Sequence, residues 1–215
     1  MTENVVAGAH MRAELFSLPD TWARAADMRA EQALLPARGA RIAVVGCGTS
    51  WFMAQSYAAL REAAGFGETD AFTASEAPVD RGYDAIVALT RSGTTTEVLE
   101  LTERVKGRTP VVAVLGDDTS PLVDLADTVI AMPFADEKSV VQTRFATTAL
   151  ALFRASLGED LAPAIADAAD VEVTATIDVA EDTVNVGTFN LRVRQNGTDE
   201  VRLVARHDTS DLELV

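Results

Sequence analysis

The chain has 215 residues, 48% of them hydrophobic and 24% charged, with a formal net charge of −15. That composition is globular rather than disordered, and the acidity argues against nucleic acid or an anionic membrane surface as a partner. One cysteine, Cys47, excludes an intrachain disulfide and fits a reducing, cytoplasmic setting, while no apolar run approaches the ~20 residues of a membrane-spanning helix.

Residues 1–18 are mixed in character, carry no apolar core of signal-peptide length and are expected to be partly extended. Pro19-Asp20-Thr21 opens a helix that Asp20 or Thr21 can cap. It runs towards Leu34-Leu35, and Pro36 and Gly39 end it. A clear alternation follows. Arg41–Val45 (RIAVV) is a short buried strand, Gly46–Ser50 a turn, and Ser50–Ala64 an alanine-rich helix stopped by Gly65 and Gly67. Thr69–Ala74 is a second strand with Ser75-Glu76 at its end, and Tyr83–Leu89 a third. Thr90–Thr96 (TRSGTTT) is a second polar turn leading into a helix over Glu97–Lys106. Thr109–Leu115 is a fourth strand, ended by Gly116-Asp117-Asp118. Ser120 caps a short helix to Ala126, with Pro121 in its first turn. Thr128–Met132 is a fifth strand and Ser139–Leu157 a long helix.

Short apolar strands alternating with helices predict an α/β fold: a five-stranded parallel, doubly wound sheet covered on both faces, within a first domain of residues 1–168. After about Ala169 the pattern changes. Val171, Val173, Ala175, Ile177 and Val179 alternate with polar residues, as do Phe189, Leu191 and Val193. Asn196-Gly197 marks a hairpin turn, after which Val201, Leu203 and Ala205 resume the alternation. Residues 169–215 are expected to form a small antiparallel β-rich appendage.

Two polar turns, GCGTS after the first strand and TRSGTTT after the third, fall at the carboxyl ends of parallel strands, the edge at which open α/β sheets bind ligands. Each leads into a helix whose first N–H groups have no internal partner and whose dipole is positive there. Gly48 and Gly93 let the backbone come close, and Thr49, Ser50, Thr90, Ser92, Thr94, Thr95 and Thr96 add short neutral donors. This is the chemistry of a phosphate cradle built from hydroxyls and amides. Helix-start hydroxyls also serve as ordinary caps; two such turns on one edge favour the ligand reading. Alternatives fail on spacing. There is no third glycine for a dinucleotide fingerprint and no GxxxxGK[ST]. Cys47 has no histidine near it in sequence, since His10 and His207 lie outside the alternating region, and no metal-ligand cluster is visible. Neither a metal nor a cofactor is expected.

These residues resemble the sugar isomerase (SIS) domain family. GCGTS is similar to its first ligand loop and TRSGTTTEVLEL to its second. The stretch from Asp136 to Arg144 (DEKSVVQTR) resembles the third segment, which opens the last helix, and MRAELFSLPDTW resembles the segment preceding such domains in glucosamine-6-phosphate synthase isomerase halves. The resemblance covers about residues 10–165 and implies a phosphosugar site. By motif, Cys47, Gly48, Thr49 and Ser50 would line one side of the sugar. Thr90, Ser92 and Thr95 would bind the phosphate with the amides around Gly93, and Val140 and Gln142 would close the pocket. Arg91 stands where many members have Gln and Thr94 where many have Glu, which leaves the sugar's identity open. Isomerases of this type have two SIS halves, the second supplying the catalytic glutamate and a lysine. Here the sequence past about residue 168 turns β-rich, so the base is sought within the domain, with Glu137 first and Glu97 next. The resemblance implies a homodimer, because family sites form where two SIS units meet. The expected function is therefore phosphosugar binding in the aldose–ketose isomerase or deaminase group. The rival is a non-catalytic phosphosugar sensor or assembly protein whose β-rich tail mediates association.

Overall fold

The computed structural model describes residues 9–139, 142–170, 172–179, 186–194 and 200–208. Their contacts divide into two units, Met1–Ala162 and Pro163–Val215.

The first unit opens with helices α1 (Ala9–Phe16), α2 (Leu18–Asp27) and α3 (Arg29–Gln32). This corrects the expectation of an extended start. The run Met-Arg-Ala-Glu-Leu from Met11 to Leu15 is made of strong helix formers. The expected single helix to Leu34-Leu35 is broken at Met28, whose φ of −75° and ψ of 56° interrupt the hydrogen-bond ladder. Neither Asp20 nor Thr21 caps α2; both lie inside it, after Ser17 in the cap position and Pro19 in the first turn. The Thr21 hydroxyl instead donates to the Leu18 carbonyl at 3.0 Å and accepts from Thr148 at 3.0 Å.

The sheet then builds: β1 (Ile42–Gly46), α4 (Thr49–Ala63), β2 (Thr69–Thr73), β3 (Ala85–Thr90), α5 (Thr96–Val105), β4 (Val111–Leu115), α6 (Leu122–Leu125), β5 (Thr128–Ala131) and α7 (Arg144–Ser156). All five strands run parallel in the order β2-β1-β3-β4-β5, so the expected five-stranded parallel α/β sheet is the observed one. β1, β3 and β4 are buried at every residue, as an apolar strand covered on both faces must be. Tyr57 of α4 stacks on Phe153 of α7 with ring centroids 4.1 Å apart, and Trp22 of α2 donates to Thr147 of α7 at 3.1 Å.

Two helix starts differ from expectation. α6 begins at Leu122, and Ser120 does not cap it: its hydroxyl is buried without a partner. α7 begins at Arg144 rather than near Ser139, because the Glu137 carboxylate takes up the amides at that point. The second unit holds α8 (Ala162–Ala169, whose first residue closes the first unit) and strands β6 (Glu172–Val179), β7 (Val186–Arg194) and β8 (Glu200–Asp208), neighbouring in the order β6-β7-β8. The expected turn at Asn196-Gly197 lies outside the described residues.

Candidate functional site

Strand order reverses between β1 and β3, which opens the crevice of a doubly wound sheet at their carboxyl ends. The register sets Gly46 of β1 opposite Leu89 of β3, so the turns that follow the two strands emerge side by side. Glycine at 46 is required by that proximity. A Cβ there would lie 2.9 Å from the Ser50 backbone and 3.1 Å from the Leu89 carbonyl.

In the first turn, Gly48 occupies the cap position of α4 with φ of +56°, a conformation open to glycine. A Cβ there would meet nothing within 4 Å. Thr49 and Ser50 start the helix, Ser50 fully enclosed at 2% exposure. Cys47 is half-buried and packs against the core. Burial pushes its thiol pKa up; the nearby Glu97 carboxylate adds to the rise, and a hydrogen bond with the Ala74 backbone works the other way. A thiol held protonated is a poor nucleophile, and the side chain packs against the core, which argues against a nucleophilic role. Alkylation of the folded chain by iodoacetamide near neutral pH is expected to be slower than for the urea-unfolded chain; equal rates would revive the nucleophile reading.

In the second turn, Thr90 is buried and its Oγ1 lies 3.1 Å from Thr95 Oγ1. Thr95 is the cap residue of α5. The Ser92 hydroxyl accepts from the Thr94 amide at 3.3 Å and the Thr94 hydroxyl at 2.9 Å. Gly93 has φ of +60°. Neither α4 nor α5 has a side-chain hydrogen bond capping its start, although hydroxyls stand at both. Backbone carbonyls take the Ser50, Trp51 and Val98 amides, while the Thr49, Thr96 and Glu97 amides have no partner among the described residues and are open to another acceptor.

The third segment joins the second turn through Arg91. Its Nη1 donates to Asp136 Oδ1 at 3.1 Å and to the Glu137 carbonyl at 2.6 Å. Its own carbonyl accepts from the Gly116 and Asp117 amides, which ties in the turn after β4. Glu137 is 2% exposed. Its carboxylate accepts from the backbone amides of Thr143, Arg144 and Phe145 at 2.8, 2.9 and 3.2 Å, and from the Thr143 hydroxyl at 3.4 Å. These are the amides that a helix leaves unsatisfied at its start. Glu97, the second acid considered, is exposed in the first turn of α5. Gln142 is half-buried, with Oε1 buried and unpartnered. Val140 lies outside the described residues.

Sequence reasoning missed Glu14. It is 4% exposed on α1, and its Oε1 accepts from the amides of Lys138 at 2.6 Å and Ser139 at 3.3 Å. The available signal was an acid embedded in the run Ala-Glu-Leu-Phe of the segment preceding the domain. Burial pushes the Glu14 pKa up, but hydrogen bonds from Ser139 and Lys138 and the Arg144 charge outweigh it and hold the carboxyl below its ordinary value. Because folding lowers this pKa, the ionised group contributes stability above the unfolded glutamate range, and that contribution is lost as pH falls through the folded value. The urea midpoint is expected to drop between about pH 5 and pH 3, and to drop less in Glu14→Gln. Equal slopes for the two proteins would remove Glu14 from the account.

Among the described residues there is no cluster of three or more His, Cys, Asp or Glu able to hold a metal, and no helix long and apolar enough to cross a membrane.

No protein of curated function is a significant match to the chain. Solved structures are. Glucosamine-6-phosphate deaminase from Thermotoga maritima matches with 20% identity and a TM-score of 0.60, over 74% of this chain and 52% of that one. Tagatose-6-phosphate ketose/aldose isomerase from Escherichia coli matches with 19% identity and a TM-score of 0.58, over 73% and 48%. The C-terminal domain of glucosamine-fructose-6-phosphate aminotransferase from Francisella tularensis matches with 19% identity and a TM-score of 0.56, over 74% and 50%. The chain thus spans about half the length of each of these structures, and likeness at this identity bears on fold alone. The model of the SIS domain family matches residues 34–157, from the end of α3 to the end of α7, more than half of the sequence. The chain belongs to the SIS domain family.

Proposed function

We propose that the α/β unit binds a sugar phosphate between the turn Cys47–Ser50 and the turn Thr90–Thr95, with the phosphate at the start of α5. One observation carries this reading: two helices begin side by side at the sheet's switch point, neither start has a side-chain cap, and hydroxyls surround both. An anionic ester oxygen cluster suits such a place. The Arg91 guanidinium is directed at Asp136 and the Glu137 carbonyl, so hydroxyls and amides are the expected phosphate ligands. The sugar-phosphate names of the matched structures agree with this reading. The tests are a thermal-shift series with hexose and hexosamine 6-phosphates and a Ser92→Ala variant. Ser92→Ala is expected to weaken binding by about 1–2 kcal/mol, the scale of one hydrogen bond to a charged group. No shift with any ligand at millimolar levels, or unchanged affinity in the variant, would count against the assignment.

The finer reading is membership of the aldose–ketose isomerase or deaminase group. Such chemistry needs a base touching the substrate, and we read Glu137 as the cap of α7 instead, its carboxylate already occupied. A second copy of the chain could bring the missing group. The outer face of α4, beside the first turn, exposes Phe52 at 55% and Leu60 at 37%, and we assign it to homodimer contact, to be checked by light scattering. The committed state of Glu137 also favours a second reading, a phosphosugar sensor that binds without turnover. Fructose 6-phosphate mixed with the protein separates the two: appearance of the aldose isomer supports the enzyme, and saturable binding without conversion the sensor. A cytoplasmic setting is proposed on the single cysteine.

For the tail, we infer a separate appendage from about residue 169. Its register pairs Val173 with Val193, Ala175 with Leu191 and Ile177 with Phe189, then Leu191 with Leu203, in antiparallel strands. That alignment puts apolar positions in common rows, as one sheet face wants.

A further inference from the structure

Between Lys138 and the start of α7 the described residues are neither helix nor strand. Backbone amides in such a stretch have no ladder to join and need partners from elsewhere. Two buried carboxylates supply them, one at each end. Glu14, from α1, takes the Lys138 and Ser139 amides. Glu137 takes those of Thr143, Arg144 and Phe145. Arg144 Nη1 adds a bond to Ser17 Oγ at 3.4 Å, and Nη2 donates to the Asp136 carbonyl. Arg91 joins the same segment to the second turn. Lys138 and Ser139 are therefore held from α1, and the two residues before them from the site's own turn.

A leucine at 14 would fill the same volume with no charge to desolvate. A buried carboxylate is unfavourable unless its hydrogen bonds offset the loss of water. Here the bonds it makes go to the Lys138–Ser139 backbone. The carboxylate's effect is to fix that backbone. We propose that Glu14 is a positioning residue of the site: α1 reaches back to hold the Lys138–Ser139 backbone, which continues directly from the Asp136 and Glu137 groups that grip Arg91 of the second turn, and phosphosugar affinity depends on it. This rests on the phosphosugar reading above.

Full-length Glu14→Leu and Glu14→Gln separate geometry from filling, since both keep the volume and only Gln keeps an acceptor at Oε1. Each is titrated with glucosamine 6-phosphate, and the Lys138 and Ser139 amide resonances are followed in 15N-labelled protein. Gln is expected to bind within about threefold of the parent, while Leu binds about tenfold or more weakly, the scale of one charged hydrogen bond, with the two amide signals displaced. Equal affinities for Leu and Gln, or unmoved amides in Leu, overturn the proposal. If the parent itself does not bind, the phosphosugar reading fails and the affinity claim with it. Displaced amides in Leu would then still establish the anchor, and unmoved ones remove it too. Should Leu not fold, Glu14→Asp, with equal charge and one methylene less reach, is expected to show the same displacement and an intermediate affinity, and parent-like values for both would overturn the proposal.

Discussion

Glu137→Ala is expected to destabilise the α/β unit by about 3 kcal/mol, at the high end for single substitutions. The change removes an acceptor shared by three backbone amides and one hydroxyl, at a residue 2% exposed. Each buried amide left without a partner costs about 1–3 kcal/mol, reduced here where water can enter the vacated space. For a chain of this size the melting temperature should fall by roughly 6–12 °C. Glu137→Gln is the more informative partner. An amide oxygen placed at Oε2 keeps the Thr143 and Arg144 amides satisfied, but the NH2 group then faces the Phe145 N–H, donor against donor. A loss of about 1–2 kcal/mol follows. A catalytic base would behave differently: Gln would leave melting and affinity unchanged and abolish turnover alone. Melting curves and a phosphosugar titration on the same two variants decide between cap and base.

The same residue shows where sequence reading stops. β1, β3 and β4 are legible because each is a short apolar run ended by glycine or a polar cluster, as in Ile42–Gly46 and Val111–Leu115 followed by Gly116. The two turns are legible because Gly48 and Gly93 take positive φ between a strand and a hydroxyl-rich helix start. Local chemistry suffices for both. The start of α7 is not local. Ser139 looks like a helix start, yet the Lys138 and Ser139 amides go to Glu14, 124 residues from Lys138, and the Thr143, Arg144 and Phe145 amides to Glu137. The break at Met28 and the placement of Thr21 likewise answer to packing of α2 on α7, through Thr21–Thr148 and Trp22–Thr147. Ser120 has the sequence signature of a cap, but its side chain is claimed by the space beneath Gly93. Arg91 was visible only as a departure from the family pattern, while its bonds to Asp136 and Glu137 are what couple the second turn to the third segment.

Gly93→Ala should abolish phosphosugar binding by displacing the second turn. An ideal Cβ at this position would lie 1.9 Å from Ser120 Oγ and 2.5 Å from Ser120 Cβ. Neither side can yield easily. Ser120 is 4% exposed, and its backbone is bonded to Asp117, whose amide is bonded in turn to the Arg91 carbonyl of the turn itself. Overpacking of this kind costs about 1–3 kcal/mol, and the φ of +60° adds about 1–2 kcal/mol for any residue with a Cβ. Ser120→Gly in the same chain removes the overlap and leaves only the backbone strain, so the double variant should regain most of the stability and part of the affinity. That coupling is measurable as a double-mutant cycle. Gly48→Ala is the control for stability alone, since Gly48 belongs to the other turn of the proposed site. Its φ is also positive, but a Cβ there meets nothing within 4 Å, so stability should fall only by the backbone strain, about 1–3 kcal/mol, and no change at 120 should relieve it. If Gly93→Ala kept parent-like affinity while Gly48→Ala lost it, the phosphate would have to sit at the start of α4 rather than of α5.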